Sequence, residues 1–108
     1  MKKRQRQKDQ LLAQVRINNK DYSVRASAHA IQRMQERKVD SYIVTGNILS
    51  LGEERILKLQ KKGEEAILID ENTNTSIVFG FKGNRIQVIT VIDKANVFVK
   101  RGTLVVNL

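Results

Sequence analysis

The chain has 108 residues, 41% of them hydrophobic, with no cysteine, no proline and a single histidine. That length is enough for one domain around one core, and the missing cysteines exclude disulfides, thiolate metal ligands and cysteine nucleophiles. No apolar run approaches the length of a membrane-spanning helix, and the formal net charge is +9.

The charge is unevenly placed. Residues 1–38 hold eleven Lys or Arg against three acids, whereas residues 39–108 hold nine against eight. Lys2, Lys3, Arg4, Arg6 and Lys8 supply much of the excess. A basic third of this kind favours a polyanionic partner, first of all nucleic acid, although the same run also describes a solvated tail with no partner. The polar stretch Gln5–Gln10 stands where the apolar core of a signal peptide would follow Met1–Arg4, so a cytoplasmic protein without membrane contact is expected. Residues 1–10 have no periodicity and are expected to be a disordered basic tail, with a single domain over residues 11–108.

From Leu11 the pattern becomes structured. Val15-Arg16-Ile17 and Tyr22-Ser23-Val24 flank the polar turn Asn18–Asp21, which predicts a hairpin. Ser27 is a good N-cap for a helix over residues 28–38. Asp40 or Ser41 caps a second helix over Tyr42–Leu49, with Gly52 as its C-cap. The remaining elements are expected to be strands: Arg55–Gln60, Ala66–Ile69, Ser76–Phe81 and Arg85–Ile92. A last hairpin of Val97–Val99 and Thr103–Val106 is expected around Lys100-Arg101-Gly102. Turn signals every eight to twelve residues suggest a meander. The expected class is α+β, with two N-terminal helices packed on one face of a curved antiparallel sheet.

The first helix carries the candidate site. His29, Arg33, Glu36 and Arg37 share an arc roughly 100° wide on it. An imidazole near the positive end of a helix can serve as general acid or base. Two guanidinium groups can hold phosphate and the charge of its transition state, and Glu36 can orient Arg33. The same spacing equally describes a solvated polar face with a capping histidine. Lys58, Arg85 and Thr90 are the further candidates on the expected sheet. No glycine-rich phosphate loop, nucleophile elbow or paired carboxylate is evident.

Ser27-Ala28-His29-Ala30-Ile31-Gln32-Arg33-Met34-Gln35-Glu36-Arg37 closely resembles the S-x-H-A-x-x-R-M-x-E-R motif of a small domain family found in phages, mobile elements and bacterial toxin C-termini. Ile48–Glu53 and Val88–Ile92 resemble its later hydrophobic-G-E and v-i-T-v segments. That family looks related to the RelE/ParE and BrnT toxins and the tRNA-cleaving colicins. The resemblance implies a RelE- or barnase-like fold and a toxin-like, metal-independent endoribonuclease that needs no cofactor. RNA would be the substrate and an antitoxin or immunity protein a possible partner. His29, Arg33 and Arg37 would be the motif positions, with Glu36 supporting them and Thr90 on the facing strand. In that mechanism the ribose 2′-OH attacks the adjacent phosphate to give a 2′,3′-cyclic phosphate. One histidine cannot fill both the acid and the base role. The alternative is a non-catalytic phage or mobile-element protein that binds nucleic acid or a host protein through its basic N-terminal third.

Overall fold

The computed structural model describes residues 9–108. Strands β1 (Gln10–Ile17) and β2 (Lys20–Ala26) come first. Helices α1 (Ala28–Arg37), α2 (Ser41–Leu49) and α3 (Glu53–Lys62) follow. Strands β3 (Ala66–Asp70), β4 (Thr75–Lys82), β5 (Arg85–Ile92) and β6 (Leu104–Asn107) complete the chain. The β1–β2 hairpin turns on Asn18 and Asn19, both at positive φ (54° and 63°). Two successive left-handed residues give the twist that a tight hairpin needs, and asparagine tolerates them. Gln10 already belongs to β1, so the ordered domain starts inside the expected tail.

The expected fold class needs correcting. The sheet is mixed and six-stranded, in the order β1-β2-β5-β4-β3-β6. β2 pairs parallel with β5, and β3 parallel with β6; the other pairs are antiparallel. Among the described residues there are three helices, and they lie between β2 and β3 rather than ahead of the sheet. The cause is topological. After β2 the chain leaves the sheet for three helices, and β5 later fills the place beside β2 that a meander would give to β3.

Two local expectations change with it. Arg55–Gln60 is not a strand but the middle of α3, whose inward residues are Ile56 and Leu59, three apart. Glu53 and Glu54 in its first turn and Lys61 and Lys62 in its last match the helix dipole. Gly63, at φ 73°, ends it in the left-handed conformation that glycine adopts without strain. The final hairpin is absent as well. Only β6 forms, and it pairs with the free edge of β3, where Leu104 and Val106 pack against the core.

All three helices cover one face of the sheet. Ala30, Ile31 and Met34 of α1, Val44 and Ile48 of α2 and Ile56 of α3 meet Val24, Phe79, Ile86, Val88 and Val91 from the strands. Each buried aliphatic or aromatic side chain contributes about 1.5–3 kcal/mol. Two residues of α3 show how far the sheet curls. Glu53 accepts from the Asn18 N–H at 3.1 Å and Arg55 donates to the Asn107 carbonyl at 3.2 Å. The helix thereby reaches both edges, β1 and β6.

Candidate nucleic-acid interface

The α1 face forms as the motif spacing requires, but its two arginines are occupied. Ser27 caps the helix, accepting from the Ala30 N–H at 3.0 Å while its own hydroxyl donates to the Ile89 carbonyl at 3.1 Å. The Ser27 N–H donates to the Val88 carbonyl at 3.0 Å. β2 ends opposite Val88, so beyond that point the β5 edge has no strand beside it among the described residues, and α1 takes over its carbonyls. Arg37 completes the cover: its guanidinium donates to the Val91 carbonyl at 2.5 Å and lies 3.5 Å from the Asp93 carboxylate.

Arg33 is held at the surface by Glu36, at 2.9 Å. The Glu36 carboxyl is held below the usual carboxylate range, first because the Gln32 amide donates to it and then because Arg33 adds a hydrogen bond and positive charge. His29 is exposed in the first turn. The stripe is therefore a polar helix face with one arginine consumed by the fold and another by an ion pair.

The other expected members lie elsewhere. The β4–β5 register shifts at Ile89: Phe79 pairs with Val88, and Val78 with Thr90. This bulge brings both Val88 and Val91 into the core and turns Thr90, with Val78, to the face away from the helices. Lys58 is on α3, 3.5 Å from Glu54. Arg85 shares the helix-free face with Thr90. Lys2, Lys3, Arg4 and Arg6 lie outside the described residues. The structure thus does not gather His29, Arg33, Arg37, Lys58, Arg85 and Thr90 around one point. Among the described residues no group of three or more His, Cys, Asp or Glu side chains comes together to hold a metal ion.

A different cluster does form, on the helix-free face. Strand register places Gln14, Ser23, Arg85 and Lys82 in one row across β1, β2, β5 and β4. Neighbouring strands in such a row are about 4.8 Å apart. Arg16 and Asp21 flank the row on one side; Arg25 and Gln87 flank it on the other. Arg16, Lys82 and Arg85 line one open groove with Ser23, Gln14 and Asn84. Arg16 is only loosely paired with Asp21, at 3.6 Å, and both side chains are more than two-thirds exposed. Asp9 closes the near end. Its carboxylate accepts from Gln87 Nε2 at 2.9 Å and lies 4.0 Å from Arg85, and its carbonyl accepts from Arg25 at 3.3 Å.

Among these groove residues, sequence pattern alone singles out only Arg85. Arg16, Arg25 and Lys82 alternate with more buried residues, which marks them as outward. What brings them together is the parallel pairing of β2 with β5, and no local pattern announces that pairing.

Compared with family models, curated proteins and solved structures, the chain finds no match.

Proposed function

We propose that the protein binds RNA through phosphate contacts on the helix-free face of its sheet and does not cleave it. The observation that carries this reading is the groove of Arg16, Lys82 and Arg85, lined by hydroxyl and amide groups and adjoining Asp9. Three cations against two loosely placed carboxylates, Asp21 at 3.6 Å from Arg16 and Asp9 at 4.0 Å from Arg85, leave the groove net positive toward a phosphate backbone, and Ser23, Gln14 and Asn84 offer donors to phosphate and ribose oxygens. The aromatic side chains nearest this surface, Tyr22 and Phe81, turn toward the core. The groove therefore suits backbone contacts rather than base stacking. RNA is favoured over other polyanions by the likeness of the α1 motif to the ribonuclease toxins.

Cleavage is the weaker reading because the groups it requires are dispersed. Arg37 is bound to the β5 backbone, and Thr90 and Arg85 are on the opposite face from α1. The α1 motif instead serves the fold, closing the exposed edge of β5.

The test is direct. Purified protein is incubated with labelled structured RNA in the presence of EDTA, and both retardation and strand integrity are read. The expected result is a retarded complex with intact RNA that weakens steeply with salt, and weaker binding when residues 2–8 are deleted. New 5′-hydroxyl ends that disappear in His29→Ala would overturn the proposal.

A further inference from the structure

A second surface lies at the opposite edge of the sheet. β6 lies at the edge of the sheet, and among the described residues only its inner side is paired. Leu104 N–H donates to the Glu65 carbonyl and Leu108 N–H to the Ile69 carbonyl, each at 3.0 Å. The alternation of a parallel ladder therefore turns the N–H and C=O groups of Val105 and Asn107 outward. The Asn107 carbonyl is taken by Arg55, and Val105 is 49% exposed. Unpaired edges of this kind recruit another strand unless something blocks them.

The groove beside this edge is walled by α3. Arg55, Lys58 and Lys62 line it together with Leu59, Val105 and Val106. On α3 the three cations are spaced i, i+3 and i+7, so they share one stripe. Glu54 offsets only Lys58. One wall of the groove is thus positive, the floor is apolar, and the other wall is a row of backbone groups.

We propose that this groove takes an acidic, extended segment of a partner protein as a seventh strand beside β6. Its backbone would pair with the outward N–H and C=O of Val105 and the outward N–H of Asn107, whose carbonyl stays with Arg55. Strand alternation sends every second side chain toward α3 and the others toward the open face. Carboxylates meet Lys58 and Lys62 on the first side, and apolar side chains cover Val105 on the second. The recognised segment is therefore an alternation of acidic and β-branched residues. Backbone pairing supplies affinity, and the charged stripe supplies specificity.

The probe is a capped seven-residue peptide of alternating Glu and Val, with the Gln/Val peptide as control, titrated into the isotopically labelled 108-residue protein. The expected result is a saturable shift of the Val105 and Asn107 amide signals, with the Gln/Val peptide binding at least tenfold more weakly. The double substitution Lys58→Glu, Lys62→Glu is expected to abolish that preference. Val105→Pro, which removes one outward N–H from an edge position where proline is tolerated, is expected to weaken the Glu/Val peptide while leaving the protein folded. Three results would each overturn the inference. One is equal binding of both peptides. Another is shifts confined to the groove of Arg16, Lys82 and Arg85. The third is a dimer formed through β6 by the protein alone, which would mean that the edge is already filled by a second copy.

Discussion

Arg37 donates to the backbone carbonyl of Val91, beyond the point where β2 stops pairing with β5. This hydrogen bond changes the meaning of the helix motif, because the second arginine of the stripe stabilises the fold before it can meet any phosphate. A partly buried hydrogen bond from a charged group contributes about 1.5–3 kcal/mol. Arg37→Ala is therefore expected to lower the free energy of unfolding by about 1–3 kcal/mol, measured by urea titration. Arg33→Ala, which breaks a surface ion pair, is expected to leave the midpoint almost unchanged. Equal effects of the two substitutions would contradict the distinction.

Asp70 gives the protein an acid-sensitive fastening. It is buried, at 4% exposure. Its carboxylate accepts from Thr73 Oγ1 at 2.5 Å, Asn72 N–H at 3.0 Å and Asn47 Nδ2 at 3.1 Å, tying α2 to the β3–β4 turn. Its carboxyl is held below the usual range, chiefly by the Thr73 hydrogen bond, with Asn72 and Asn47 adding to it against the opposing effect of burial. A depressed folded-state pKa gives stability that is full above the unfolded value, near about 3.9 for aspartate, and is lost as pH falls through the folded value. Unfolding free energy is expected to fall with acidification below about pH 4, and to fall less in Asp70→Asn. That variant is expected to cost about 1–3 kcal/mol at neutral pH. Parallel acid limbs in the two proteins would show that Asp70 is not the group responsible.

Asp9 occupies cationic and amide groups that RNA phosphate would use, since its carboxylate accepts from Gln87 and lies near Arg85. Asp9→Asn is thus expected to tighten RNA binding, on the order of fivefold if the surface pair is worth about 1 kcal/mol. Fluorescence anisotropy with a labelled hairpin RNA measures this. Weaker binding by Asp9→Asn would mean that the carboxylate orders the groove instead of competing for it.

The packing of α3 makes a further expectation. Ile56 is 1% exposed, whereas Lys58 faces solvent. Ile56→Ala is expected to cost about 2–5 kcal/mol by leaving a cavity. Lys58→Ala is expected to cost less than about 0.5 kcal/mol. Thermal or urea unfolding of the two variants distinguishes this helix from the strand that the residues suggest by themselves.

The parts of the fold that local chemistry decides are legible in the sequence. Ser27 capping α1, the Asn18–Asn19 hairpin and the buried run of β5 all follow from residue type and spacing. Ile56-Leu57-Lys58-Leu59 misleads because a dense apolar run suits a strand as well as a helix. The flanking Glu53-Glu54 and Lys61-Lys62-Gly63 hold the helix signal. The insertion of β5 between β2 and β4 is not legible, because parallel pairing is decided by the whole sheet. The candidate site follows the same division. The α1 stripe is readable from spacing, but its use as an edge cover depends on where β2 stops. The row joining Gln14, Ser23, Arg85 and Lys82 exists only through that long-range pairing.

The salt dependence of RNA binding, compared between the unaltered protein and the triple variant Arg16→Glu, Lys82→Glu, Arg85→Glu, tests the central claim most directly. Removing one phosphate-binding cation lowers the slope of log K against log salt by roughly 0.7 for single-stranded and 0.9 for duplex nucleic acid. The triple variant is expected to keep its fold, bind RNA far more weakly and show a slope smaller by roughly two to three, with the RNA intact throughout. Unchanged affinity and slope in the triple variant, with binding abolished instead in His29→Ala or Arg33→Ala, would contradict the account and return the site to α1.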